Sequence, residues 1–463
     1  MHDDLGRPGA MFVDMRPVGY PLLYVTDHEV AEQISKSSKT FNWAVHKSPT
    51  IDDIIPVIGE HSIIRKNGDD WKRLRRRFNP GFAPQHLYSL LPLVVKKTET
   101  FVQQLDKLVE SGKEFELGQK IINLTFDIMC AVVLNEDLNA QQEDLSRRGE
   151  LIKLFSECLS TYNESIVTLP WWLAPRLSRK RRSLAMQIDT VIAGMVQDRF
   201  DCGSDPMQSR SIVSLSLQDI EELTPLILSE TVDQVKSFLF AGHDTTSILI
   251  EWAIYELSRH PKILSKAREE LDSAFGPDSN PATMFELLSS ERGPEIIAHL
   301  PYISAIIKEI LRHHPPAGSA RMSPSGSNFS LRLPRTGKEF IADGIVLYLA
   351  HSGIHHDDTV YGDTTNDFVP ERWLGNSATD TEDVTEGAAL PASAWRPFER
   401  GPRNCIGQQL ANMEARVILA TVLRKYDFVK AGLGQLVIGA DGAPVLNEKG
   451  QYEVESECYT VSL

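Results

Sequence analysis

Cysteine is scarce in this chain, with five in 463 residues, at Cys130, Cys158, Cys202, Cys405 and Cys458. They are odd in number, widely spaced and never paired as C-x-x-C, which excludes a disulfide framework and a zinc-type pair. The pattern fits a reducing compartment in which most cysteines behave as small buried hydrophobes. A basic excess is also missing: 48 Lys and Arg face 63 Asp and Glu, for a formal charge of −15. A phosphate-binding surface needs local positive charge, so the balance argues against nucleic acid as a partner. No stretch approaches the roughly 18 apolar residues that span a bilayer. The longest quiet run, Phe126 to Leu134, still contains Asp127. Met1 to Pro8 is polar and carries no signal-peptide pattern, so as written the chain reads as neither secreted nor membrane-spanning. Internal repeats and low-complexity tracts are absent, and Gly432-Leu-Gly434 lacks the rest of a dinucleotide fingerprint.

What is present is a globular composition, 42% hydrophobic and 24% charged. Met11 to Met15 and Pro21 to Thr26 read as strands, bounded by Gly19 and Asp27. Helical patterns dominate from Asp27 to His314. The clearest covers Thr231 to His260, where Val235, Phe238, Leu239, Gly242, Thr246 and Leu249 recur at helical spacing and Pro261 ends the run. A second helix is predicted over Tyr302 to His313, stopped by Pro315-Pro316. Ala342-Asp343-Gly344 then predicts a hairpin turn between Phe340-Ile341 and Ile345 to Leu349. A last helix is expected over Gln408 to Arg424. Short strands at both ends of a helical middle imply one intertwined, mainly α domain over residues 1–463. Its β-rich parts lie near 11–26 and 316–350, its helical body at 27–314, and a ligand-binding loop at 398–407.

The decisive segment is Phe398-Glu-Arg-Gly401-Pro-Arg403-Asn-Cys405-Ile-Gly407. A thiolate just ahead of a helix meets backbone N–H groups and the positive end of the helix dipole. Gly401 and Gly407 let backbone approach a flat ligand, and Arg403 can pair with a carboxylate. A lone cysteine in a turn is most often just buried. Here five positions coincide, which average residue usage produces in about one window in ten million.

This segment resembles the signature F-x-x-G-x-R-x-C-x-G of the cytochrome P450 family, with every fixed position present. The resemblance implies that Cys405 is the axial ligand of a haem b iron (iron protoporphyrin IX), that Arg403 binds a haem propionate and that Phe398 packs beside the sulfur. Thiolate ligation favours O–O cleavage. Other motifs follow in the family's order. Glu309-Ile-Leu-Arg312 puts an acid and a base on one helix face, and Pro370-Glu371-Arg372-Trp373 resembles the family's P-E-R-F element. By resemblance, Glu309, Arg312 and Arg372 form a buried network that locks the cysteine loop. Ala241-Gly242-His243-Asp244-Thr245-Thr246 resembles the oxygen-activating motif. Glycine inside a helix costs about 1 kcal/mol against alanine, so Gly242 needs a packing reason or a functional one such as a kink. Thr245 is implied to hydrogen-bond bound dioxygen, and Asp244 to relay protons. Trp71-Lys-Arg-Leu-Arg75 resembles the W-x-x-x-R helix whose end residues touch propionates, and Arg321 and His355 sit where the family often places two more such partners.

The run Lys72, Arg73, Arg75, Arg76 and Arg77 is unusually basic for so acidic a chain. Such a run is usually a solvated face; in this family it implies docking of an acidic reductase. The resemblance spans Met11 to about Val461, and the motif wording is that of eukaryotic microsomal, filamentous-fungal members. Those members carry an N-terminal membrane helix and a Pro-rich hinge, and this chain begins beyond where both would end. The implied reaction is insertion of one atom of dioxygen into a hydrophobic small molecule. Electrons would come from NADPH through a separate cytochrome P450 reductase, or through cytochrome b5, at the cytosolic face of the endoplasmic reticulum membrane. Two rivals are a haem-thiolate isomerase or dehydratase, which often lacks the threonine found here at 245, and a non-catalytic haem-binding protein, which needs no Asp244-Thr245 pair. Substrate contacts are expected from Trp43 to Ile64, Tyr162 to Pro175 (with Ile166-Val167 and Trp171-Trp172), the helix before Gly242, and Pro316 to Ser319.

Overall fold

A computed structural model describes residues 9–17, 19–163, 174–201, 210–278, 280–374, 390–439 and 442–455. The chain forms two compact units. One comprises Met1–Asp52, Ile64–Leu74 and Lys308–Gln408; the other comprises Asp53–Ile63, Arg75–Ile307 and Gln409–Leu463.

The first unit is organised by its sheets. Strands β1 (Ala10–Val13) and β2 (Leu22–Val25) form an antiparallel pair, with Ala10 opposite Val25. Helix α1 (His28–Ser35) follows, its N-terminus capped by Asp27, whose carboxylate accepts from the Glu29 and Val30 N–H groups. Strands β3 (Ser319–Met322), β4 (Ser330–Arg332), β5 (Glu339–Ile341) and β6 (Val346–Leu349) come much later in the chain. The four-stranded sheet has the order β1-β2-β6-β3, with β2 and β6 parallel and β3 antiparallel to β6. The predicted hairpin is therefore corrected: β5 pairs with β4 in a separate two-stranded sheet, and β6 pairs with β2 and β3. The turn between them redirects the chain. Asp343 accepts from the Ser323 and Ser327 hydroxyls and from the Asn328 and Phe329 N–H groups, and Gly344 adopts φ +70°. Val25, Val30, Ile34, Leu331, Leu347 and Ile354 lie in one buried cluster that cements α1 to the sheets.

Three helices pass from one set of segments to the other: α2 (Gly68–Phe78), α9 (Pro301–His313) and α10 (Gln408–Leu423). The second unit contains α3 (Leu91–Ser111), α4 (Leu117–Leu134), α5 (Glu150–Asn163), α6 (Pro175–Asp201), α7 (Pro225–Arg259) and α8 (Pro261–Phe275). The long predicted helix is thus six residues longer at its start. Thr224 caps it by accepting from the Ile227 N–H, and Pro225 occupies the first helical position, where a missing N–H costs nothing. Its 35 residues span about 52 Å.

Helix α7 packs chiefly on α4 and also on α6. Helix α4 reaches the length of a membrane span, with mean hydropathy 1.5 over 18 residues, a feature hidden in the sequence by Asp127. Yet 72% of it is buried inside the protein, and Asp127 is held by the Ala140 and Gln141 N–H groups at 2.7 and 3.2 Å. Polar side chains of α7 also pin the segment before α2. Asp233 accepts from the His61 N–H at 2.7 Å, Gln234 from the Ile63 N–H at 2.7 Å, and Ser237 donates to the Ile58 carbonyl at 3.1 Å.

Candidate active site

Cys405 is the one exposed cysteine among the described residues. Cys130 and Cys158 are buried, and burial pushes both thiols up, so they remain neutral. The loop carrying Cys405 closes on itself, since the Cys405 N–H donates to the Phe398 carbonyl at 2.8 Å. Gly401 sits at φ +73°, and a Cβ there would lie 2.3 Å from the Ser35 carbonyl oxygen of α1, so glycine is required twice over. Gly407 meets only the Cys405 Sγ within 4 Å of where its Cβ would be, at 3.8 Å. Helix α10 begins one residue later, so its N-terminus faces the thiol-bearing turn.

Beside this loop the first unit gathers positive charge. Arg403 is buried, with its guanidinium 4.7 Å from the Trp71 ring and Nη1 donating to Asn67 Oδ1 at 3.3 Å. Arg321, on β3, is fully buried, donates to the Val45 carbonyl at 3.3 Å and leaves Nε and Nη2 without a hydrogen-bond acceptor. Lys47 approaches the same group: its backbone N–H donates to Asn67, its pKa is pushed well down by burial and by the Arg321 and Arg403 charges, and Glu399 and Cys405 oppose that shift. Glu399 faces Arg321 at 3.7 Å and accepts from Arg396 at 2.6 Å. Lys47, Asn67, Arg396 and Glu399 were not singled out from the sequence. Only Glu399 lay inside the quoted motif, and no spacing marks the others.

A group of cations this deep, with unused N–H groups, is costly unless an anion joins it. Two propionates of a haem suit that donor set, and an accessible thiol at a helix N-terminus suits its iron. The residues present therefore fit the group.

Trp71 and Arg75 lie one turn apart on one face of α2. His355 requires a correction. Its Nε2 accepts the Arg396 N–H at 2.9 Å and its Nδ1 faces the Arg312 carbonyl at 3.2 Å, so both ring nitrogens are occupied within the protein. Burial drives its pKa well down, which makes it a neutral brace and not a propionate partner.

Glu309 and Arg312 meet as their spacing suggested, and Arg372 joins them as the family resemblance implied. The Glu309 carboxylate is wholly buried and accepts from Arg312 Nη2 at 2.8 Å, Arg312 Nε at 3.1 Å, Arg372 Nε at 3.1 Å and the Val369 N–H at 3.0 Å. Trp373, where the family's element has phenylalanine, adds an indole N–H bond to Glu309 at 2.8 Å. Burial opposes the charge on Glu309, but the His313 and Arg312 contacts and the Arg372 charge outweigh it and hold the carboxyl well below its ordinary range. Arg312 also donates to the carbonyls of His355 and Thr365, at 3.2 and 2.7 Å, tying the helix end to the loops beyond β6.

In the second unit, α7 carries the remaining motif. Along this mostly buried helix, Ala241, Asp244, Thr245 and Ile248 form a part-exposed stripe at helical spacing. Thr245 Oγ1 donates to the Ala241 carbonyl at 2.7 Å, leaving its lone pairs to accept. The Asp244 carboxyl is pushed up by burial, against the pull of His243, so it holds a proton more readily than an ordinary aspartate. Gly242 has a packing reason: a Cβ there would stand 2.4 Å from Met129 Sδ on α4. Thr125, also on α4, donates to the His243 carbonyl at 2.8 Å, while the Phe126 and Phe155 rings meet the His243 ring edge-on.

In the basic run, Arg73 and Arg76 are exposed. Arg77 instead turns inward, donating to Thr231 at 2.6 Å and to the Ser216 carbonyl at 3.2 Å. Lys72 lies over the Trp43 ring at 4.4 Å. Of the expected substrate contacts, Ile166-Val167 and Trp171-Trp172 fall outside the described residues.

The family model for cytochrome P450 matches residues 7–443. The chain is 34% identical over 443 residues to the cytochrome P450 monooxygenase acrF of Aspergillus aculeatus, covering 92% of this chain and 86% of that protein. It is 27% identical to the cytochrome P450 monooxygenase polC of Polytolypa hystricis, over 90% of this chain and 73% of that one. The crystal structure of a cytochrome P450, CYP102L1, superposes with a TM-score of 0.74 at 18% identity, covering 98% of this chain and 95% of its own.

Proposed function

The chain belongs to the cytochrome P450 family and is a haem-dependent monooxygenase that works with a redox partner, an organic substrate and dioxygen, and from that premise we propose which residues do the work. Cys405 ligates the iron of a haem b through its thiolate. The observation that carries this is its exposure at the start of α10, beside the buried Arg321 and Arg403 and the half-buried Lys47. Thiolate-ligated haem supplies dioxygen activation and oxygen insertion when bound. Arg321, Arg403 and Lys47 neutralise the propionates, with Trp71 and Arg75 alongside, and Phe398, Gly401 and Gly407 shape the thiolate turn. Glu309, Arg312 and Arg372 keep the loops that carry it in place. On α7, Asp244 would hold a proton on its carboxyl and pass it inward, while Thr245, whose hydroxyl hydrogen is given to the Ala241 carbonyl, would offer Oγ1 as an acceptor on the same face. Ala241, on the part-exposed stripe, keeps that face of the helix low enough for a flat ligand, while Gly242 lets the adjoining face close onto Met129 of α4.

One oxygen atom enters a C–H bond and the other leaves as water, with two electrons and two protons consumed. We assign the electrons to NADPH, delivered by a flavin-containing reductase or by cytochrome b5 that docks on Arg73 and Arg76. The family model's span supports one catalytic domain over most of the chain. The relatives acrF and polC are fungal cytochrome P450 monooxygenases; to this chain we assign a hydrophobic secondary metabolite as substrate and the endoplasmic reticulum membrane as its place of action. An isomerase or dehydratase is disfavoured because it has no use for Asp244 and Thr245.

Turnover of a candidate terpenoid, polyketide or alkaloid under ¹⁸O-labelled dioxygen, with NADPH and a fungal reductase, tests the reading. Product carrying one labelled atom, formed only with NADPH, is expected. Product of unchanged mass formed without NADPH overturns it in favour of isomerisation.

A further inference from the structure

A cavity of about 810 Å³ opens in the second unit between the C-terminal end of α3, the α3–α4 connection, the last turns of α7 and residues 426–431. That volume accommodates a drug-sized molecule. Its wall on α7 begins at Glu251, seven residues or about 10 Å beyond Asp244 along the helix axis, so it is distinct from the oxygen motif. The floor is apolar: Leu105, Leu108, Ile254 and Phe428 line it. The rim exposes large apolar side chains, with Val109 68%, Phe115 38% and Val429 76% exposed. Such exposure around one cavity is unusual unless an apolar body covers it.

The polar groups are unequal in depth. Glu251 is half-buried, and among the described residues it takes no hydrogen bond and no ion pair. Its carboxyl is pushed up by burial, with the Lys430 charge lowering it and Glu116 raising it further. Both of its oxygens crowd the start of α4, at 3.1 and 3.2 Å from where a Gly118 Cβ would be, so a side chain at 118 would displace the carboxyl. Next to it the Trp252 ring stands edge-on to Tyr255, with centroids 5.6 Å apart. The other carboxylates are Glu114 and Glu116, both exposed, and Asp427, which is paired with Arg268 at 2.7 Å. The two cations, Lys113 and Lys430, are exposed at the mouth.

We propose that this cavity binds a hydrophobic organic cation, its ammonium head against Glu251 and the Trp252 and Tyr255 rings and its apolar body on the Leu105–Leu108 floor. A carboxylate that is partly desolvated and unbonded gains most from a positive partner, and aromatic faces favour the same charge. An anionic ligand would have to sit against Glu251 while its own partners, the lysines, are solvated at the rim.

Calorimetric titration of the haem-loaded protein with benzyltrimethylammonium tests this, because a quaternary nitrogen has no lone pair with which to ligate iron. Phenylacetate and neopentylbenzene serve as the anionic and neutral counterparts. Binding of the cation is expected to leave the Soret band unmoved, to weaken tenfold or more in Glu251→Gln, and to strengthen a few-fold in Lys430→Gln. Equal binding in Glu251→Gln, phenylacetate binding as tightly as the cation, or weaker binding in Lys430→Gln would each overturn the assignment. So would binding accompanied by a Soret shift that Glu251→Gln leaves unchanged.

Discussion

Replacing Glu309 by alanine removes one carboxylate and strands its partners. The wholly buried Arg312 keeps three carbonyl acceptors, at His355, Thr365 and Asp367, but loses its counter-charge. Arg372 Nε, the Val369 N–H and the Trp373 indole N–H lose their acceptor as well. Breaking a buried ion pair by deleting one partner costs about 3–5 kcal/mol. Each buried donor left without an acceptor adds about 1–3 kcal/mol, less whatever water recovers. Since a native fold holds a margin of only about 5–15 kcal/mol, Glu309→Ala should consume most of it. The expected result is little haem incorporation on expression and, for any holoprotein recovered, a urea midpoint far below wild type. Glu309→Gln keeps one acceptor oxygen and should lose less. A folded Glu309→Ala protein with full haem content and an unchanged midpoint would refute the claim that this network holds the loop.

Acid sensitivity should follow from the two depressed carboxyls. Glu309 and Glu399 are both held below their ordinary value of 4.5, so their contribution is complete above that pH and fades as the pH falls through their lower folded values. Urea midpoints from pH 6 to pH 3 should therefore fall more steeply in wild type than in Glu399→Gln, and parallel curves would contradict this. Gly401→Ala forces a Cβ against the Ser35 carbonyl at positive φ, so haem loading should drop sharply while a control Gly432→Ala, with open space around it, loses only about 1 kcal/mol. Charge reversal at both Arg73 and Arg76 should slow reductase-dependent reduction and flatten its dependence on salt, as stopped-flow traces at rising ionic strength would show; rates identical to wild type would discard that face. Thr125→Val removes the bond to the His243 carbonyl and should cost about 1 kcal/mol, read as a lowered urea midpoint that Thr125→Ser does not show.

The site was more legible than the sheets. Cys405, Arg403 and Gly401 share one short loop and Glu309 and Arg312 one helix face, so local spacing marks them, whereas Arg372 was legible only through the resemblance of Pro370-Glu371-Arg372-Trp373 to a family element. Strand partners have no such local mark. Leu347 on β6 pairs with Leu23 on β2, far away in sequence, so a turn-like Ala342-Asp343-Gly344 suggested a hairpin that does not form. The start of α7 was missed because the Thr224-Pro225 cap precedes the expected start at Thr231 by nearly two turns. His355 was misplaced because only the folded chain shows the Arg396 N–H claiming its ring. Lys47 was invisible for a related reason: a lysine before a run of loop residues looks like any solvated cation until burial brings Arg321 and Arg403 beside it.

The most direct test of Cys405 ligation is the absorption spectrum of the reduced, haem-loaded protein under carbon monoxide, recorded for wild type and Cys405→Ser. Wild type should show the strongly red-shifted Soret band of a thiolate-ligated haem, and Cys405→Ser should lose it. A band typical of histidine ligation in wild type, or a red-shifted band that survives in Cys405→Ser, would contradict the assignment.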